Sequence, residues 1–184
     1  MSAALSSSPS SAAESSSAAG TAAAGSISIR PFAVGDTEAV VALWRAAGLV
    51  KPWNDPYLDI ERKLTVQPEL FLVAEADGSS EARVQAGAQS SAVVVGTAMV
   101  GYDGHRGWVN YLAVADPARG TGLGRLLMDE AERLLIERGC PKLNLQVRSS
   151  NTEVIAFYER LGYAVDDAVS LGKRLIEDAP AASR

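Results

Sequence analysis

The run Leu112-Ala-Val-Ala-Asp-Pro-Ala-Arg-Gly-Thr-Gly-Leu-Gly-Arg-Leu-Leu127 constrains the fold more than any other segment. It reads as the end of a buried strand, an Asp-Pro turn, a glycine-rich loop and the start of an amphipathic helix. Gly120, Gly122 and Gly124 carry no Cβ, so the backbone can bend freely there and approach a ligand closely. A helix that opens directly from such a loop has first-turn amides without intrahelical partners. Those amides and the helix dipole favour an anion such as a phosphate. Arg119 and Arg125 flank the loop with positive charge. The alternative is a tight strand-to-helix connection with no ligand.

Two familiar phosphate loops do not fit. No Gly-Lys-Ser/Thr ends the segment, and Arg125 stands where the dinucleotide fingerprint has its third glycine. About 20 residues further on the chain has Asn144, not the acid that would hold a ribose hydroxyl.

The rest of the chain places this unit in a mixed sheet. Ser26 to Phe32 reads as a strand, and Asp36 as the N-cap of a helix through Ala47 with Val40, Leu43, Trp44 and Ala47 on one face. Pro56 opens a second helix through Thr65. Strands follow at Leu70–Ala76 and Val93–Tyr102, separated by a low-complexity loop at 77–91. Trp108–Val114 leads into the glycine loop, and a helix from Gly122 to Arg138 presents Leu123, Leu126, Leu127, Ala131, Leu134 and Leu135 at helical spacing. Leu143–Val147 reads as another strand. Ser150 and Glu153 form a capping box for a helix through Leu161. A final strand pair is expected from Gly162 to Lys173. This order predicts an α/β (α+β) domain.

Composition narrows the class. Residues 1–25 are almost entirely Ser, Ala and Gly with one charge, Glu14, and read as a disordered tail, cleavable targeting being the minor alternative. Residues 26–178 form the single domain and 179–184 a C-terminal tail. Nothing approaches the roughly 18 to 20 apolar residues of a membrane span. One cysteine, Cys140, excludes an intrachain disulfide, and with a single histidine no metal site is expected. The formal net charge of −5 disfavours a nucleic-acid partner. A reducing, cytoplasmic setting is expected.

Arg119-x-x-Gly122-x-Gly124, preceded by a strand and Asp116-Pro117, resembles the signature of the GNAT superfamily of acyl-CoA-dependent N-acetyltransferases. Ser150-Asn-Thr-Glu-Val-Ile-Ala-Phe-Tyr-Glu-Arg-Leu-Gly-Tyr163 is similar to the family's second signature, with Asn151 and Tyr158 in place. Further runs resemble the small bacterial YpeA-type acetyltransferases: Pro52-Trp-Asn-Asp-Pro56, Asp59-Ile-Glu-Arg-Lys63, Gly101-Tyr-Asp-Gly-His-Arg-Gly107, Arg138-Gly-Cys-Pro-Lys142 and Ser170-Leu-Gly-Lys-Arg-Leu-Ile176. The resemblance implies a mostly antiparallel mixed sheet of about six to seven strands with about four helices.

It also implies acetyl-CoA as co-substrate. The loop residues Arg119, Gly120, Thr121, Gly122, Leu123, Gly124 and Arg125 would hold its pyrophosphate. The backbone of Leu112, Ala113 and Val114 would take the pantetheine arm, one amide facing the thioester oxygen. Asn151 would hydrogen-bond that arm, and Tyr158 would be the general acid to the departing thiolate. The acceptor would be an amine, on a small molecule or a protein, attacking directly in a ternary complex. Trp53, Asn54, Asp103 and His105 are candidate walls of its site. His105 is the one side chain whose ordinary pKa suits base work near neutrality. The strand Trp108–Leu112 lacks the carboxylate that many family members carry there. The alternative function is a non-catalytic acyl-CoA sensor, and the resemblance leaves a homodimer open.

Overall fold

The computed structural model describes residues 27–77 and 92–178. The expected tails at 1–25 and 179–184, and all of the 77–91 loop except Asp77, lie outside the described residues.

The elements are β1 (Ile27–Pro31), α1 (Thr37–Ala46), α2 (Pro56–Leu64), β2 (Phe71–Asp77), β3 (Ala92–Tyr102), β4 (Gly107–Val114), α3 (Leu123–Glu137), β5 (Leu143–Leu145) and α4 (Thr152–Arg160). The strands form one five-stranded sheet in the order β1-β2-β3-β4-β5. Pairing is antiparallel from β1 to β4, and β4 runs parallel to β5. The described residues form the mixed α/β architecture expected from the sequence, with five strands among them rather than six or seven.

The alternation of β2 shows how the layers are specified. Leu72 and Ala74 face a cluster with Leu123, Leu127, Met128, Ala131 and Leu135 of α3. Phe71 and Val73 face the opposite cluster with Val40, Val41 and Trp44 of α1 and Ile60 of α2. Successive strand residues point to opposite faces, so a continuous apolar run is what a strand covered by helices on both sides requires.

Three local expectations are corrected. Residues 162–173, where a strand pair was expected, contain no strand, nor do the described residues that follow, to 178. Their apolar side chains, Val165, Val169, Leu171, Leu175 and Ile176, are exposed. β5 is too short a template for a further ladder, and side-chain bonds hold the segment instead: Lys142 to Asp166 at 2.6 Å and Gln146 to Ser170 at 2.7 Å.

The second correction concerns α4, whose cap is Asn151 and not Ser150. Asn and Ser cap almost equally well, so the choice between neighbours falls to loop geometry. The third concerns Asp36. It precedes α1, but its carboxylate accepts from the Ala33 amide at 2.8 Å and from Arg30, without capping the helix. Those donors hold the Asp36 carboxyl below its usual range against the upward push of burial.

Candidate active site

β4 and β5 pair only from Gly107–Val109 to Leu143–Leu145. Beyond Val109 the strands part, and among the described residues no strand pairs with the β4 backbone from Asn110 to Val114 on that side. Leu112, Ala113 and Val114 therefore lie on an open edge.

β4 also carries a bulge. Thr97 pairs with Ala113 and Met99 with Asn110, so Tyr111 and Leu112 together oppose one residue of β3. Tyr111 takes a left-handed conformation, φ 51°. The extra residue shifts the phase of the strand. Val109, Leu112 and Val114 join the α3 cluster, whereas Tyr111 and Ala113 turn to the α1 side.

There the Tyr111 ring stacks on Trp44 at 3.9 Å between centroids. Trp44 Nε1 donates to Thr97 Oγ1 at 3.0 Å, and Thr97 donates to the Tyr111 carbonyl at 2.9 Å. The Tyr111 hydroxyl donates to Asp59 Oδ2 of α2 at 2.5 Å. Burial first, then that bond, pushes the Tyr111 hydroxyl well above the usual phenol range.

The glycine loop follows β4 through a 3-10 turn at Asp116–Ala118. Gly120 and Gly122 have φ of 76° and 91°, conformations that side-chain-bearing residues rarely adopt. Gly122 precedes α3, and the first intrahelical bond runs from Leu126 N–H to Gly122 O at 3.1 Å. The amides of Leu123, Gly124 and Arg125 are thus left without intrahelical acceptors. Thr121 Oγ1 donates back to Ala118 O at 2.7 Å and tightens the loop. Arg119 and Arg125 sit at its ends on the exposed carboxylates of Asp116 and Asp129, at 3.0 and 3.6 Å.

Gly124 has a separate reason to be glycine. A Cβ there would lie 3.3 Å from Phe157 Cζ, so its absence lets α4 pack against the start of α3. That contact ties the loop to Tyr158, the residue after Phe157. Tyr158 is buried in the α3-side cluster, edge-on to Phe157 and Tyr163. Burial pushes its hydroxyl up to about 12, and the hydroxyl has no hydrogen-bond partner among the described residues. Asn151 begins the same helix, its Oδ1 accepting from the Val154 amide at 3.4 Å.

A cleft of about 440 Å³ opens on the α2 side of the sheet. Asn54, Asp59, Arg62 and Lys63 line it from the α1–α2 loop and α2, and Met99, Asn110 and Tyr111 from the strands. Lys63 is buried, its Nζ donates to Val100 O at 2.6 Å, and burial lowers its pKa. The chain end crosses nearby: Arg174 donates to Asn54 at 3.2 Å and Asp178 accepts from Arg62 at 2.5 Å.

Of the four residues expected around the acceptor, the structure puts Asn54 in this cleft. Trp53 is half exposed and not part of the lining. Asp103 and His105 lie in the β3–β4 turn, where Asp103 Oδ1 accepts from the amides of His105 and Arg106 at 2.7 and 2.6 Å. Those bonds make Asp103 a turn former and lower its pKa. His105 is exposed, away from the lining. Accordingly, His105→Ala is expected to leave the pH–rate profile unchanged, and a lost or shifted limb near pH 6–7 would contradict this placement.

Asp59, Arg62, Lys63 and Tyr111 were not among the expected site residues. Lys63 and Asp59 belong to a run already noted for its resemblance. Tyr111 depends on the bulge, which no local pattern announces.

The described residues contain no cluster that could hold a metal ion. No helix among them is long and apolar enough to cross a membrane.

Comparison with known proteins agrees with this geometry. The model of the acetyltransferase (GNAT) family matches residues 38–163. An acetyltransferase of Pectobacterium atrosepticum is 48% identical over 152 residues, 83% of this chain and 98% of the relative. An uncharacterised N-acetyltransferase of Yersinia pestis matches to the same extent, 48% over 152 residues, with 83% of this chain and 98% of the relative covered. Among solved structures, AAC(6')-Iy, in complex with the bisubstrate analogue CoA-S-monomethyl-acetylneamine, superposes with a TM-score of 0.61. It is 16% identical, over 82% of this chain and 99% of that one, and shows the shared fold. The chain belongs to the GNAT family and is an N-acetyltransferase that uses acetyl-CoA.

Proposed function

We propose that this enzyme moves an acetyl group from acetyl-CoA to a primary amine by direct attack in a ternary complex, with Tyr158 donating its proton to the departing thiolate. The observation that carries this is the placement of a buried, neutral phenol one residue from the Phe157 contact with the glycine loop. The loop amides of Leu123, Gly124 and Arg125 and the open β4 edge suit a diphosphate joined to an extended amide-bearing arm. In this reading residues Arg119 to Arg125 hold the pyrophosphate, and Leu112, Ala113 and Val114 take the arm. Asn151 meets the arm through its amide nitrogen, its oxygen being used in the cap.

The amine nitrogen bonds to the acetyl carbon, the carbon–sulfur bond breaks, and the sulfur leaves with a proton. From an ammonium acceptor the nitrogen loses two protons, the sulfur gains one, and one is released. The acceptor side of the sheet is the cleft at Asn54 and Tyr111. The bisubstrate analogue bound to AAC(6')-Iy is consistent with such a two-substrate site. A free cysteine, Cys140, fits a reducing cytoplasmic setting.

Thiol release from acetyl-CoA over a panel of amines and peptides, with the amide product identified by mass spectrometry, tests this reading. Tight acetyl-CoA binding without turnover on any amine would overturn it in favour of a sensor. Gly122→Val probes the cradle separately. A Cβ at Gly122 meets nothing within 4 Å, so the cost lies in the backbone. A left-handed valine costs about 1–2 kcal/mol and re-aims the amides that follow. Calorimetry with coenzyme A is expected to show affinity at least tenfold weaker, and unchanged affinity would remove the loop from the site.

A further inference from the structure

We propose that Asp59 receives the ammonium group of the acceptor, supplying from α2 the negative charge that β4 lacks. The inference rests on the acetyltransferase reading above and gives that reaction its acceptor-binding residue.

Among the residues lining the cleft, Asp59 is the only carboxylate. Of the two cations beside it, Arg62 is shared between Asp59 and Asp178, and Lys63 is engaged elsewhere. Arg62 holds Asp178 through both terminal nitrogens, at 2.5 and 3.3 Å, and touches Asp59 Oδ1 at 3.2 Å. Lys63 is held by the Val100 carbonyl. Asp59 itself takes one bond on each oxygen, from Arg62 and from the Tyr111 hydroxyl. An ionised carboxylate offers about four acceptor positions, so roughly two remain for N–H donors. The partners fix the carboxylate without filling it.

The backbone supports the same assignment. Tyr111 is one of two non-glycine residues with positive φ among the described residues. A left-handed conformation costs a side-chain-bearing residue about 1–2 kcal/mol, and such strain persists where the surroundings enforce it, often at functional sites. Here it brings the tyrosine to the α2 face. Its hydroxyl donates to Asp59 Oδ2 and so orients the carboxylate.

Geometry decides the role: a carboxylate fixed by two donors and open to a third holds an ammonium through charge-assisted hydrogen bonds. Asp59 therefore binds the cation, and water takes the proton. After attack the nitrogen is again positive in the tetrahedral adduct, and the same carboxylate stabilises it until its second proton leaves. The carbon–nitrogen bond forms, the carbon–sulfur bond breaks, Tyr158 protonates the sulfur, and the second nitrogen proton restores the Tyr158 hydroxyl.

The test is calorimetric titration of the full-length protein, saturated with coenzyme A, by n-butylamine, 1,4-diaminobutane and trialanine. At least one cation is expected to bind. Asp59→Asn should weaken it tenfold or more with coenzyme A affinity and Tm unchanged, and Asp59→Glu should retain binding within tenfold of the wild type. Should Asp59→Asn misfold, Tyr111→Phe decides, with a three- to tenfold weakening expected. Equal binding by the deciding variant would overturn the proposal, as would failure of the wild-type complex to bind any probe. Failure to bind coenzyme A at all would instead overturn the acetyltransferase reading.

Discussion

Tyr158→Phe is expected to lower kcat by about 10²-fold or more, the usual range for losing a positioned proton donor, with KM for acetyl-CoA nearly unchanged. The structure argues for this separation. The ring fills the cluster under α3 and packs edge-on to Phe157 and Tyr163 at 5.0 and 5.6 Å, and phenylalanine keeps those contacts. Only the hydroxyl is lost, and it has no hydrogen-bond partner among the described residues. Removing a hydroxyl that makes no protein hydrogen bond costs little stability. Tm should hold or rise slightly, which distinguishes a chemical loss from damage to the fold.

The wild-type pH profile carries a second signature. Burial disfavours the phenolate, so the hydroxyl, pushed up to about 12, remains protonated through the assay range. Below pH 10 no falling limb should come from Tyr158, and any rising limb reports deprotonation of the acceptor. A variant within about threefold of wild-type kcat would remove Tyr158 from the proton transfer.

What could be read in the sequence divides by range. The passage from β4 through the glycine loop into α3 is local: glycines where φ turns positive, a Pro-bearing turn, then leucines at helical spacing. Each signal acts within a few residues, so the unit is visible before folding is considered. Asn151 is displaced from expectation by one position, the scale on which capping residues of equal merit compete.

The proposed acceptor side was hidden for a different reason. Asp59 and Tyr111 are 52 positions apart, and they meet only because β4 gains a residue. Strict alternation from Val109 would send Tyr111 to the α3 face. At 162–173 the error runs the other way. Val169 and Leu171 stand two apart as in a strand, but such spacing specifies a strand only where a neighbouring ladder accepts it.

Trp44→Ala is expected to remove about 3–5 kcal/mol of stability, the range for emptying a buried aromatic site. Trp44 is fully buried, stacked against Tyr111 and, at 5.9 Å, Phe71. Its indole N–H is also the donor to Thr97 Oγ1, and Thr97 is itself fully buried. The substitution thus leaves a cavity and an acceptor short of one donor. For a domain of this size each kcal/mol moves Tm by about 2–4 °C, so thermal unfolding should fall by roughly 10 °C. Trp44→Phe separates the two contributions: it keeps most of the stacking and loses the donor, for about 1–2 kcal/mol.

The same pair reaches the site. Thr97 fixes the Tyr111 carbonyl and Trp44 supports the Tyr111 ring, so in folded protein at low temperature KM for the amine should rise while KM for acetyl-CoA stays put. A loss below about 1 kcal/mol in Trp44→Ala would show that the pocket collapses around the missing ring. An unchanged amine KM would show that the bulge holds Tyr111 without help from below. The conformation at φ 51° would then be a property of the β3–β4 register alone, and Asp59 would owe its orientation to the strand rather than to the core.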